Sequence, residues 1–379
     1  MPISRPRPLK SLVTALVSGL LLLFGGPPIA AVPFADFEPV ADELSWIDTY
    51  LLALASSAAY RGPVKDLAGE TFADKFSHVY EPLGLEVVAF LEAGEAKTGT
   101  QALVLRNEAI VLVVFCGSEG HDTTAATRDW LTDARIWPLE VDGMQIHRGF
   151  HYALGSVWEA LYASVAPLQS SGLQLWLTGH SLGGALANLA AYRLEKEGVA
   201  VAGVYTFAAP KLGDQEFVAD FEQCLGVRSQ QWSTELDPIT RMPEITRRAA
   251  YEKLGVTNVV RASGQAELDT VQKMSRFPNP WAHRVSAYVN YLYRALPTEV
   301  RAKVPIPPPL CATTSVHVGE HPVDGFALCR ERLRKVSRKK CSAEGGTVIE
   351  PWCLTEDPGK FRYRAQRLKA PKAESAKVE

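Results

Sequence analysis

No apolar run in this sequence is long enough to cross a bilayer comfortably. The longest, Leu12 to Phe24, covers 13 residues, against the ~20 that a spanning helix needs. No cysteine follows that run, which argues against a lipid anchor of the bacterial type. There is no C-x-x-C pair, so a zinc site is not expected, and neither a metal nor a cofactor is implied elsewhere. Internal repeats are absent. Charge of either sign is close to balance, 40 Lys and Arg against 42 Asp and Glu for a net −2.

That balance conceals an asymmetry. From Arg301 onward there are 16 basic and 9 acidic residues, a local +7, while the rest of the chain carries 24 against 33, or −9. An acidic main part argues against nucleic acid as its partner. The N-terminus separates in another way. Arg5, Arg7 and Lys10 precede the apolar run and Ala30-Ala31 follows it. Residues 1–31 therefore read as a secretory signal peptide, with an uncleaved anchor as the alternative, and the protein as secreted or extracytoplasmic. Export permits disulfides. Cys311, Cys329, Cys341 and Cys353 crowd into the tail, while Cys116 and Cys224 lie in the main part. The expected organisation is a signal peptide over 1–31, one large domain over 32–300, and a basic cysteine-rich segment over 301–379. Two bridges would staple that last segment, their pairing undetermined.

Within 32–300 the hydrophobic pattern alternates between strand and helix. Asp42 and Glu43 open an amphipathic helix that ends near Tyr60. Strands follow at 85–91, 101–106 and 109–115, the last a continuous apolar run of the kind buried on both faces. Residues 119–144 are polar, then mixed, and read as a mobile amphipathic flap. A helix follows over 148–168, then strands at 201–207 and 227–233 with a helix over 215–225 between them. A last helix runs from His283 to Leu296, and Pro305 to Pro309 link it to the tail. This alternation predicts an α/β fold: a mainly parallel sheet with helices on both faces, plus the small cysteine-rich appendage.

Leu173 to Thr178 reads as a strand, Ala185 to Leu194 as a helix. Between them stands Gly179-His180-Ser181-Leu182-Gly183, a G-x-S-x-G in the context of a nucleophile elbow. The glycines allow a tight strand-to-helix turn, and the helix points its positive end at the serine, where negative charge develops during attack on a carbonyl. A serine hydroxyl needs a general base, itself oriented by a carboxylate. In elbow-bearing folds these follow in the order serine, acid, histidine. That order excludes His78, His121, His147 and His151 and leaves His283, His317 and His321. His283 is favoured by its place at the start of the last helix. Asp237, directly after a strand end and followed by Pro238, is favoured over Asp214 and Asp220, which read as cap or surface charges.

From about Ala41 to Leu296 the chain resembles the class 3, fungal-type lipases of the α/β-hydrolase superfamily. The resemblance is carried by Ile110 to Ser118, Asp129-Trp130-Leu131-Thr132-Asp133, His147-Arg148-Gly149-Phe150, Gly179 to Gly184 and Thr206 to Pro210. Asp237-Pro238 with Arg241-Met242-Pro243, and His283 with Tyr288, complete it. It implies Ser181 as nucleophile, His283 as general base and acid, and Asp237 as orienter. The oxyanion hole would be the backbone N–H groups of Leu182 and Ser118, with the Ser118 hydroxyl as a further donor. The lid would follow Ser118 and include Trp130, Leu131 and Asp133, the last either steadying Ser118 or capping local structure. Two residues depart from the pattern: Cys116 stands where the family usually has arginine, and Lys253 replaces a common histidine.

The resemblance thus implies a secreted ester hydrolase, triacylglycerol-type, acting on lipid acyl chains at a lipid–water interface. Phospholipase A1 or non-lipid esterase activity is the alternative on the same triad. An alternative of another class is a non-catalytic surface-binding protein that works through its basic tail, with anionic surfaces as partners.

Overall fold

The computed structural model describes residues 33–40, 43–61, 76–77, 79–93, 99–117, 137–243, 251–270, 272–273 and 280–305, with five short strands between 317 and 367. The first elements are α1 (Trp46–Ala58), β1 (Glu86–Glu92), β2 (Gln101–Arg106), β3 (Ile110–Phe115), β4 (Pro138–Val141) and β5 (Met144–His147). Then come α2 (Arg148–Gly155), α3 (Trp158–Gln169), β6 (Gln174–His180), α4 (Leu182–Lys196), β7 (Gly203–Phe207), α5 (Gln215–Cys224) and β8 (Ser229–Ser233). The series continues with β9 (Val256–Val260), β10 (Ala266–Glu267), α6 (Val285–Ala295) and α7 (Thr298–Arg301).

One sheet runs in the order β1-β2-β3-β6-β7-β8-β9-β10. Pairing from β3 through β9 is parallel, while β1–β2, β2–β3 and β9–β10 are antiparallel. All six residues of β3 are buried. Leu112 and Val114 enter the apolar cluster formed with α1 and α6. Val111, Val113 and Phe115 enter the opposite cluster, with α2, α3, α4 and α5. A continuous apolar strand thus reports cover on both faces, and the chain has the expected α/β-hydrolase architecture.

Helix boundaries follow local capping. α1 begins at Trp46 because the Ser45 hydroxyl accepts a hydrogen bond from the Asp48 N–H at 3.2 Å; Asp42 lies outside the described residues. The single helix expected over 148–168 is two. Gly155 ends α2, and the Ser156 hydroxyl turns back to the Ala153 carbonyl at 2.6 Å. Part of the stretch read as a flap is the β4–β5 hairpin, whose two-residue turn is Asp142-Gly143, both at positive φ. Aspartate and glycine tolerate that conformation, which matches the twist of the paired strands. β9 was not foreseen, although Val256-Thr257-Asn258-Val259-Val260 is rich in β-branched residues.

In the tail β11 (His317–Glu320) pairs with β12 (Ala327–Cys329), and β13 (Thr347–Ile349), β14 (Trp352–Asp357) and β15 (Arg362–Arg367) form an antiparallel sheet. Cys311 and Cys341 lie outside the described residues. Cys116, whose Sγ lies 4.0 Å from the Ala59 carbonyl oxygen, and Cys224 form no disulfide among the described residues.

Asp48 is a buried acid in the first turn of α1. Its Oδ1 accepts from the Glu38 N–H at 3.0 Å, and Oδ2 has no hydrogen-bond partner among the described residues. Burial, with Glu38 nearby, pushes its pKa from 3.8 up to about 7, against the Glu38 and Ser45 hydrogen bonds that favour the anion. A helix N-terminus favours an anion by only ~0.3–1 kcal/mol, whereas a rise of this size corresponds to ~4 kcal/mol, so burial wins. The unfolded chain releases this proton near pH 4 and the folded protein near pH 7. Stability therefore falls as pH rises between those values, and the cost persists above them. Asp48→Asn should raise the melting temperature at pH 8 by several degrees and leave it nearly unchanged at pH 4. An equal shift at both pH values would show that Asp48 does not carry this cost.

Candidate active site

Parallel strands deliver the site. β6 ends at His180, and Ser181 follows with φ 59° and ψ −126°. Positive φ at a residue with a side chain costs ~1–3 kcal/mol and persists only where surroundings impose it. Here the Ser181 N–H donates to the Phe207 carbonyl at 3.0 Å, and the Ser181 carbonyl accepts from Gly184 and Ala185 at 3.0 and 3.2 Å. The flanking glycines answer to backbone contacts. A Cβ on Gly179 would lie 2.3 Å from the Gly183 carbonyl oxygen, and one on Gly183 would lie 2.3 Å from that of Phe115.

Asp237 sits in the loop after β8, and His283 closes a 3₁₀ turn (Pro280–His283) two residues before α6. His283 Nε2 is 2.7 Å from Ser181 Oγ, and Nδ1 is 2.9 Å from Asp237 Oδ2. A carboxylate only accepts, so Nδ1 carries the hydrogen and the Nε2 lone pair faces the serine hydroxyl. All three residues are buried. Asp237 Oδ1 accepts from the Ile239 N–H at 2.9 Å, and Oδ2 also accepts from the Tyr288 hydroxyl at 2.8 Å. Burial first, then Asp237, pushes the Tyr288 hydroxyl well above its ordinary pKa, so it remains a donor.

A second layer holds the acid loop. Gln272 Nε2 donates to the carbonyls of Thr234 at 2.5 Å and Asp237 at 3.4 Å. Its Oε1 accepts from Thr240 Oγ1 at 2.8 Å and from Lys253 Nζ at 2.6 Å. Burial pushes Lys253 down to about 8, while the Asp237 carboxylate pulls the other way. Lys253, singled out for replacing a histidine, thus supports the acid loop from behind. Behind the elbow Asn188 of α4 and Gln231 of β8 exchange two amide hydrogen bonds of 2.9 Å.

Of the other candidates, Leu182 is the first residue of α4, so its N–H is among those a helix leaves without an intrahelical acceptor. Ser118, Trp130, Leu131 and Asp133 lie outside the described residues, as do His78, His121 and His321. His147 caps α2 through Nδ1, which accepts from Phe150 N–H at 3.3 Å, and burial lowers its pKa to about 4. Asp214 caps α5, and Asp220 accepts from Tyr192 and from Lys196, the latter at 2.8 Å.

Sequence reasoning passed over His180, Tyr60 and Gln272. His180 stands beside Ser181 on a strand whose last six residues are buried. Its Nδ1 is 2.7 Å from the Tyr60 hydroxyl, and its Nε2 is 2.6 Å from the His283 carbonyl oxygen. A histidine in a fully buried strand end signals a partnered ring. Tyr60 and Gln272 have no comparable signal.

A mainly parallel sheet with a strand–serine–helix elbow, followed in the chain by an acid and a histidine, defines an α/β-hydrolase-type protein. Residues 113–247 match the family model for lipase (class 3). It is 32% identical over 155 residues to a lipase of Rhizomucor miehei, covering 38% of this chain and 41% of that protein. It is 31% identical over 123 residues to secreted mono- and diacylglycerol lipase 1 of Fusarium solani, covering 31% and 36%. The chain thus spans less than half the length of these relatives. Among solved structures, Rhizomucor miehei triacylglyceride lipase superposes with a TM-score of 0.51 at 23% identity, covering 62% of this chain and 91% of that one, a likeness of fold.

The elbow's steric demand is testable by placing a methyl group on each of two helical glycines. Gly183→Ala should destabilise by ~1–3 kcal/mol, as overpacking against backbone does. Gly155→Ala, where a Cβ meets nothing within 4 Å, should be neutral or slightly stabilising through helix propensity. Thermal unfolding of the two variants decides it: equal melting temperatures would remove the argument.

Proposed function

We propose that the protein is a secreted serine carboxylic ester hydrolase acting on lipid acyl chains, triacylglycerol-type. The observation that carries this is the continuous chain from Ser181 Oγ through the His283 ring to Asp237 Oδ2 at the C-terminal edge of the sheet. His283 Nε2 takes the serine proton as Oγ attacks the ester carbonyl. It then returns that proton to the departing alcohol and repeats the cycle with water. Asp237 keeps the proton-bearing nitrogen turned inward and stabilises the imidazolium. The oxyanion donors are the N–H groups of Leu182 and Ser118 with the Ser118 hydroxyl, each worth on the order of 10²–10³ in rate. Trp130, Leu131 and Asp133 belong to a lid that meets the lipid surface. Residues 1–31 direct export, and 32–300 form the catalytic domain.

A serine-reactive phosphonate should label Ser181 and stop hydrolysis. Single replacement of Ser181, His283 or Asp237 should lower turnover by roughly 10⁴–10⁶, least for the carboxylate. A folded Ser181→Ala variant that still turns over would refute the reading, and a chain that neither reacts nor hydrolyses any ester would favour a surface-binding protein. Rates on tri-, di- and phosphoglycerides separate a triacylglycerol lipase from a phospholipase A1.

The +7 tail is proposed to draw the acidic domain to anionic surfaces, at ~1 kcal/mol per Lys or Arg near the surface. A chain ended at Ala302 should keep its rate on a short soluble ester yet bind anionic vesicles less well, the difference vanishing at high salt. Undiminished vesicle binding by the shortened chain would overturn this.

A further inference from the structure

Beside the triad, the His283 carbonyl, the buried His180 ring and the half-buried Tyr60 hydroxyl make one connected chain. The His283 carbonyl oxygen can only accept, so His180 Nε2, 2.6 Å away, carries the hydrogen and donates to it. His180 Nδ1 is then a bare lone pair, and the Tyr60 hydroxyl, 2.7 Å away, donates to it. Of the two neutral tautomers only this one satisfies both ring nitrogens, and the Tyr60 hydroxyl also reaches the His180 carbonyl oxygen at 3.3 Å. Tyr60 is placed by a third element. A Cβ on Gly117 would lie 1.7 Å from the Tyr60 hydroxyl oxygen, so the tyrosine occupies the volume a side chain at 117 would fill. Gly117 stands two residues after the end of β3 at Phe115, and β3 borders β6.

Resting on the reading of Ser181 as nucleophile and His283 as base, we propose that Tyr60 and His180 are positioning residues for the reaction. Tyr60 fixes the His180 tautomer, and His180 holds the main chain of His283 so that its ring meets Ser181 Oγ at hydrogen-bonding distance. The rings of His180 and His283 lie 4.9 Å apart. A charged His180 would oppose the imidazolium that forms on His283 during turnover, and burial, with His283 adjacent, holds the His180 pKa well below its ordinary value. Two neighbouring histidines therefore divide the work: one gains and loses a proton, the other stays neutral and fixes geometry.

The full chain carrying Tyr60→Phe, His180→Leu or His180→Gln is assayed for kcat and KM on a short soluble ester, with melting temperature measured alongside. Misplacement of a reacting group by ~1 Å costs on the order of 10² in rate. His180→Leu should therefore lose about that factor in kcat with little change in KM. His180→Gln, which offers an N–H to the His283 carbonyl and an oxygen to Tyr60, should recover at least about tenfold of it. Tyr60→Phe should fall between wild type and His180→Leu. Wild-type kcat in Tyr60→Phe, or a His180→Gln no better than His180→Leu, would overturn the proposal even if melting temperatures fell. Should His180→Leu fail to fold, Tyr60→Phe against wild type decides alone. Turnover surviving in Ser181→Ala would instead sink the nucleophile assignment, a failure separate from these.

Discussion

Close packing of three backbone segments at the elbow is the constraint on which the rest depends. The Gly179 Cα faces the Gly183 carbonyl, and the Gly183 Cα faces the Phe115 carbonyl, each without room for a methyl group. This lets α4 begin within one residue of the end of β6, and it forces Ser181 into positive φ. The strain is small beside what imposes it. A fully buried large apolar side chain contributes ~1.5–3 kcal/mol, and α4 lies almost wholly in the core, packed against β6, β7 and α2. A strained serine is thus held by a helix that has no cheaper position.

Once the elbow is set, sheet topology does the assembly. Ser181, Asp237 and His283 are separated by 56 and 46 residues of chain, yet parallel pairing puts the ends of β6 and β8 on one edge of the sheet. Burial then raises the demand on every polar group there, because an unpaired one costs ~1–3 kcal/mol. Asp237 meets it with three donors, from Ile239, His283 and Tyr288. Gln272 ties the same loop to Thr240 and Lys253. The polar groups around the triad make the acid loop rigid as well as charged.

What was legible in the sequence follows a physical line. Backbone demands leave marks on residue type: the apolar run of β3, the elbow glycines, and the order of serine, acid and histidine could all be read directly. The β4–β5 hairpin left such a mark in Asp142-Gly143 and was obscured by the polar residues before it. The division of α2 from α3 was hidden, since a glycine and a serine inside an amphipathic pattern also suit a continuous helix. Gln272 and Tyr60 were beyond reach for another reason. Their roles rest on contacts across 35 and 120 residues of sequence, and nothing local distinguishes a glutamine that holds an acid loop from one facing solvent.

His180 and His283 make the same point within one residue type. Both rings are buried and both use both nitrogens, so neither burial nor hydrogen-bond count tells them apart. The difference lies in what faces each nitrogen. His283 has a carboxylate on one side and a hydroxyl on the other, an arrangement that can stabilise a second ring proton when the serine gives one up. His180 has a carbonyl and a phenol whose own proton is directed at the ring. The carbonyl keeps one ring hydrogen in place, and among the described residues no carboxylate bonds the ring to stabilise a second. An imidazole between two such neutral partners is suited to act as a strut, whereas the same ring between a carboxylate and a hydroxyl is suited to act as a base. The chemistry of the site is therefore set by partner identity at about 3 Å, on a frame that the elbow's glycines make possible.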